Sequence, residues 1–217
     1  MSNLRTEGPG RAAFHILLVH GAGAPMTSPF LETMTRLLIE REFSVSRFEF
    51  AYMARRREDG KRRPPPKAEL LVSEYRTAVE GLGSKLEPGA TLLIGGKSLG
   101  GRVASLVADE LFAQGRIRGL VCLGYPFHPP GKPETLRTAH LERLRCPALL
   151  VQGERDPFGA RSEVEGYRLA PSIRIHWAGD GDHDLRPRGG SGFARAGNLT
   201  AAADAIRDFA RELMRAK

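Results

Sequence analysis

Strand-like and helix-like stretches take turns along this chain, and that alternation limits the fold more than any other feature. Six short apolar runs occupy residues 14–20 (FHILLVH), 43–50 (FSVSRFEF), 91–94, 120–123, 148–151 and 173–177. Their length and their flanking turn residues are those of strands. Apolar residues at helical spacing fill most of the intervals. Phe30, Met34, Leu37 and Leu38 mark a helix over 30–42, and Leu70, Leu71, Tyr75, Val79 and Leu82 another over 69–86. Val103, Leu106, Val107 and Leu111 mark one over 98–112, and Ala203, Ile206, Phe209 and Leu213 one over 198–215. A shorter helix is expected around 162–167. Residues 51–67 hold no periodicity, and the triplet Pro64-Pro65-Pro66 forbids a helix there.

Strands that alternate with helices form a parallel sheet covered on both faces, with right-handed crossovers. The predicted fold class is therefore α/β: a doubly wound, mostly parallel sheet of about six strands. No repeat or linker divides the chain. Residues 14–217 read as a single domain, and residues 1–13 as a flexible N-terminal segment.

At 217 residues the chain can bury one sizeable core. No apolar run approaches the roughly 20 residues of a membrane span. The opening MSNLRTEGPGRAA lacks the apolar stretch of a secretory signal, so a cytoplasmic location is expected. Cys122 and Cys146 are the only cysteines and read as reduced thiols in or beside the core. The net charge of +8 raises the question of nucleic acid. Yet 27 of the 33 basic residues are arginine, spread along the chain, with one dense run, RRREDGKRR, at 55–63. No zinc-finger spacing or aromatic-interleaved basic stripe accompanies it, and a general arginine bias gives the same total. Neither nucleic acid nor a membrane is an expected partner.

The stretch TLLIGGKSLGGRVASL at 91–106 carries two competing motifs. Gly96-Lys97-Ser98 resembles the end of a phosphate-binding P-loop, but that loop needs a glycine at the position of Thr91. It also needs a flexible wrap where this chain has Leu92, Leu93 and Ile94. No later strand ends in an acidic residue suited to Mg²⁺. The other reading, G-x-S-x-G, asks for a strand, a sharp turn and a helix, with small residues two positions either side of the serine. Gly96 and Gly100 meet that demand around Ser98.

The partners of such a serine follow in the order Ser, acid, His, each just beyond a strand. The run ALLV leads into QGERDPFG, which places Asp156 on one loop. The run IRIHW leads into AGDGDHDL, which places His183 on the next. All three candidates then converge at the carboxyl edge of the sheet, where open α/β sheets carry their sites. The first run ends in His20-Gly21-Ala22-Gly23, whose loop can offer the Ala22 amide to an oxyanion. The Leu99 amide, directly after Ser98, is the second candidate donor.

From about residue 14 to the end, these features resemble the α/β-hydrolase superfamily. HGAGAPM (20–26), AYM with the basic KRRPPP segment, GKSLGGR (96–102) and GYPFHPPGKPE (124–134) narrow the likeness. They resemble the small, lidless group, about the size of a dienelactone hydrolase, that is related to the third subunit of the nonspecific-lethal chromatin complex. The superfamily resemblance implies a Ser–His–Asp hydrolase, and the narrower one implies that some relatives serve within complexes. Only about twenty residues, 125–145, separate two successive strands, which leaves no room for a large lid.

The expected function is hydrolysis of a small ester or thioester through an acyl-serine intermediate. Ser98 is the nucleophile, His183 the base and Asp156 its orienter, with Leu99 and Ala22 as oxyanion donors. His20, Gly21, Gly23, Lys97, Tyr125 and His128 are the pocket candidates, with Lys97 expected to point into solvent. Asp180, Asp182 and Asp184 read as turn residues, and neither a metal nor a cofactor is expected. The alternative from another class is a non-catalytic binding module that uses the basic loop 55–67 as its contact surface. The expected partner is a small acyl substrate; a protein partner or a second copy of the chain stays open.

Overall fold

The computed structural model describes residues 3–61, 63–83, 86 and 89–215. Seven strands form one sheet in the order β1-β3-β2-β4-β5-β6-β7. They are β1 (Leu4–Glu7), β2 (Phe14–Val19), β3 (Phe43–Phe48), β4 (Thr91–Lys97), β5 (Gly119–Leu123), β6 (Ala148–Gly153) and β7 (Ile173–Ala178). Strands β2 to β7 pair in parallel, and only β1 runs antiparallel, against β3. The fold class is the expected one, with one strand more than the sequence suggested.

Helices cover both faces. On one side α1 (Pro29–Ile39) and the C-terminal α6 (Arg195–Arg215) pack over Ile16, Leu18, Val45, Leu93 and Val121. On the other, α3 (Val72–Gly83) and α4 (Leu99–Ala113) pack over Leu17, Val19, Leu92, Ile94 and Cys122. Successive residues of β2 thus feed opposite cores, as the two-residue period of a strand requires. That strand is buried at every position. No helix among the described residues is long and apolar enough to cross a membrane.

The chain runs outward from β2 to β3, returns to β4 on the far side of β2, and then proceeds steadily to β7. The order therefore reverses between β2 and β4, and a crevice opens beyond their carboxyl ends. The Gly21–Ala24 loop leaves β2 there, and Ser98 leaves β4 beside it.

Two expectations are corrected. Residues 4–7 of the segment expected to be flexible form β1, with Leu4 opposite Phe48 and Glu7 opposite Val45. Its sequence, LRTE, has no apolar alternation, because backbone pairing and polar contacts hold it. Thr6 Oγ1 lies 2.7 Å from Ser46 Oγ, and Glu7 pairs with the buried Arg47 guanidinium. The second correction is α2 (Ala51–Asp59), which lies in the stretch expected to hold no helix. It buries only Met53 and Ala54, so it leaves no apolar stripe to read. Glu74 accepts from its Ala51 amide at 2.8 Å, and Gly60, at φ 69°, ends it before the prolines. Arg62, part of the basic run, and residues 84–85, inside the helix expected over 69–86, lie outside the described residues. The short helix expected around 162–167 is α5 (Arg161–Val164).

Candidate active site

Ser98 sits between β4 and α4 at φ 50°, ψ −112°, a backbone conformation that costs a non-glycine residue energy and recurs at functional turns. The turn is tight because neighbouring backbones crowd it. A Cβ on Gly96 would stand 2.4 Å from the Val19 carbonyl oxygen, and one on Gly100 would stand 2.3 Å from the same atom. Only glycine leaves room for β2 to pass on that side. The Ser98 amide donates to the Leu123 carbonyl at 2.9 Å, which ties the turn to β5 as well.

Asp156 lies beyond β6 and is fully buried. A buried carboxylate is tolerated only with its lone pairs used. Its Oδ1 accepts from the Phe158 amide at 2.9 Å, and its Oδ2 accepts from Gln152 Nε2 at 3.0 Å and His183 Nδ1 at 2.8 Å. The Phe158 ring covers the imidazole, with centroids 4.4 Å apart. With Nδ1 held by Asp156, Nε2 is the ring nitrogen left for proton transfer. Both His183 and Ser98 line one cleft of about 470 Å³.

The loop after β2 is fixed by hydrogen bonds to three consecutive carbonyls. His20 Nδ1 donates to the Gly21 oxygen at 2.7 Å, Tyr52 Oη to Ala22 at 3.2 Å, and Arg56 Nη1 to Gly23 at 3.2 Å. In a trans peptide the following N–H points opposite to the carbonyl. The Ala22 amide is therefore turned away from His20, and the Gly23 amide away from Tyr52. The tautomer of His20 follows from its neighbours, because Nε2 accepts from the Phe50 amide at 3.1 Å. Burial holds this imidazole neutral, with its pKa lowered to about 4.

Ser98 also borders a second cleft, of about 330 Å³, on the side of Pro65, Arg102, Pro126 and Arg137. Ala22 and Phe158 line both clefts, whereas Leu99 lines only the second and His183 only the first.

Gly21, Ala22, Gly23, Lys97, Ser98 and His183 line the first cleft together. Lys97 is corrected in orientation, because it is buried rather than solvent-directed. Its Nζ stands 3.3 Å from Asp184 Oδ1 and 5.4 Å from the centre of the Phe30 ring. Burial lowers its pKa, against the pull of Asp184 and Asp156. His20 supports the loop from behind and lines neither cleft. Tyr125 and His128 are likewise absent from both linings. Tyr125 donates to the Arg137 carbonyl at 3.0 Å, and His128 Nδ1 donates to the Pro129 carbonyl at 2.8 Å. Both are buried in the β5–β6 connection, whose only helical turn is the 3-10 helix Leu141–Arg143, too short to act as a lid.

Asp182 is a turn residue, accepting from the Asp184 and Arg186 amides at 2.8 and 2.9 Å. Asp180 binds Arg188 and Arg155. Among the described residues no group of three His, Cys, Asp or Glu side chains is placed to hold a metal ion. Two serine–histidine hydrogen bonds, Ser105 Oγ with His140 Nε2 and Ser46 Oγ with His15 Nε2, both at 2.8 Å, lie outside both clefts. Sequence reading missed Gln152, Tyr52, Arg56 and Phe158. Tyr52 and Arg56 reach carbonyls 30 and 33 residues away, and Phe158 meets the His183 ring 25 residues on, so no spacing announces them. Gln152 stands four residues before Asp156, and an amide at the end of a buried strand carries no signal of its own.

A family model described as an alpha/beta hydrolase domain matches residues 12–211, and the chain belongs to that family. Solved structures share the fold at low identity. An alpha-beta serine hydrolase homologue from Coxiella burnetii superposes with a TM-score of 0.69 at 15% identity, covering 97% of this chain and 90% of that one. A dienelactone hydrolase from Anabaena variabilis gives 0.70 at 20% identity, covering 96% and 91%. A serine hydrolase without a lid from Xanthomonas campestris gives 0.65 at 15% identity, covering 96% and 88%.

Proposed function

We propose that the protein is a serine hydrolase that cleaves a small ester or thioester through an acyl-serine intermediate. The observation that carries this reading is the 2.8 Å hydrogen bond from His183 Nδ1 to the buried Asp156, beside a cleft shared with the strained Ser98. In the first half-reaction His183 Nε2 takes the proton of Ser98 Oγ as the oxygen attacks the acyl carbon. The bond to the leaving oxygen or sulfur then breaks, and His183 returns the proton to that atom. Water repeats the sequence on the acyl-serine and frees the acid. The Leu99 and Ala22 amides bind the oxyanion in both halves. Asp156 orients the imidazole and stabilises its charged form.

Two clefts meeting at Ser98, with no large lid over them, suit a short substrate with one end on each side. The serine hydrolase and dienelactone hydrolase chemistry named for the structural neighbours agrees in class. The test is intact-mass labelling with a fluorophosphonate. One adduct is expected on the native protein and none on Ser98→Ala, while an unlabelled native protein would rule the mechanism out.

The binding-module reading draws less support. Two arginines of the basic segment are engaged inward, Arg56 with the Gly23 carbonyl and Arg57 with Glu49 at 3.3 Å. That segment serves the loop beside Ser98 as much as it offers an outer surface.

A further inference from the structure

We infer that the cleft on the Arg137 side of Ser98 receives the acyl end of the substrate and selects acyl chains that end in a carboxylate, as in half esters or half thioesters of short dicarboxylic acids. This rests on the serine-hydrolase reading above.

The side follows from the proton. The leaving atom must take its proton from His183, which lines the Phe30 cleft and not the other. A leaving group held there sends the acyl chain the opposite way, past Leu99 and Pro126.

The charge of that second cleft is one-sided. Lys67, Arg102 and Arg137 line it, and among the described residues no carboxylate does. Arg102 is one helical turn beyond the nucleophile, its amide donating to the Ser98 carbonyl at 3.0 Å, a rise of about 6 Å. One of its nitrogens is engaged by Glu69 at 2.7 Å, outside the lining. Arg137 is half-buried, and both ends of its backbone are fixed. Its amide donates to the Phe127 carbonyl at 2.7 Å, and its carbonyl accepts from Tyr125 Oη at 3.0 Å. Its guanidinium has no hydrogen-bonded or ion-paired partner among the described residues. Burial first, and the like charge of Arg102 second, hold it below its ordinary pKa, against the pull of Tyr125 and Glu69. A planar five-donor fork kept half-dry beside a second guanidinium is relieved by a carboxylate, which it can grip with two hydrogen bonds. A carboxylate three or four carbons from the reacting carbonyl spans the turn from Ser98 to this pair. Hydrolysis balances simply: the acyl C–O or C–S bond breaks, water supplies the new C–O bond, and the dicarboxylate and the alcohol or thiol leave without redox change.

The experiment compares kcat/KM for mono-(4-nitrophenyl) glutarate and the neutral 4-nitrophenyl pentanoate, which share a leaving group. It uses the full chain, Arg137→Gln, Arg137→Lys, and Arg195→Gln, since Arg195 lines the cleft that holds His183 and not the other. The native protein is expected to favour the half ester at least about tenfold. Arg137→Gln is expected to lower that ratio about tenfold, Arg137→Lys to restore part of it, and Arg195→Gln to leave the ratio standing. Glutarate should also slow fluorophosphonate labelling of the native protein, and 1,5-pentanediol should not. A labelled, active protein indifferent to the carboxylate would overturn the assignment, as would a preference lost in Arg195→Gln but kept in Arg137→Gln. A protein that takes no label would instead bring down the hydrolase reading, and this assignment with it.

Discussion

Asp156 meets three donors with two oxygens while fully buried, so its charge is the property of the site least open to change. Asp156→Asn presents an amide where acceptors are needed and releases the imidazole from the tautomer that accepts a proton at Nε2. Its kcat on a 4-nitrophenyl ester should fall about 10³- to 10⁴-fold with KM little changed. A loss smaller than tenfold would mean that another group orients His183.

The hydrogen-bond partners of His20 are all inside the protein, and its folded pKa is about 4 against an ordinary 6.5. Between those values the unfolded chain binds a proton that the folded chain refuses. Stability is therefore full above pH 6.5 and declines as the pH falls toward 4, by roughly 3 kcal/mol for this one group. His15 shifts in the same direction. Denaturant titrations at pH 7.5 and 4.5 measure the loss, and His20→Asn should make it shallower. At this scale Ser98, Asp156 and His183 were legible because their order and their places after strands form a pattern. The burial of Lys97 was not, since Phe30 and Asp184 reach it from 67 residues before and 87 residues after along the chain.

At the scale of elements, α2 turns an irregular-looking stretch into a support for the loop after β2. Tyr52 and Arg56, one helical turn apart, hold two successive carbonyls of that loop. Removing one such bond should cost about 1 kcal/mol of loop order. Tyr52→Phe is accordingly expected to reduce kcat about three- to tenfold, with little change in KM. An unchanged kcat would show the loop held without it. The strands and long helices were legible because each buries a continuous face. The helix α2 and the strand β1 bury almost none, and their stability lies in capping, pairing and single polar contacts that periodicity does not register.

At the scale of the whole molecule, β1 closes one edge of the sheet and supplies Glu7 to Arg47, which is only 2% exposed. That guanidinium keeps the Met26 carbonyl at 2.8 Å but otherwise depends on Glu7, with Glu32 no nearer than 4.0 Å. Removing residues 1–8 uncovers the β3 edge and leaves a buried cation short of its partner. A loss of about 3 kcal/mol and a lower Tm are expected, with association through the bared edge detectable by light scattering. Glu7→Gln should lose less and remain dispersed.

The sequence by itself determined the α/β class, the parallel sheet and the turn that carries Ser98. Those rest on local rules: apolar period, glycine where backbones touch, and chain order. The tertiary structure alone decided that Lys97 is buried, that Tyr125 and His128 are framework, and that Gln152, Tyr52 and Arg56 hold the candidate machinery. It also decided that two clefts meet at one serine. Tyr52 and Ala22, Arg56 and Gly23, Lys97 and Asp184 stand tens of positions apart along the chain, and only packing brings them together.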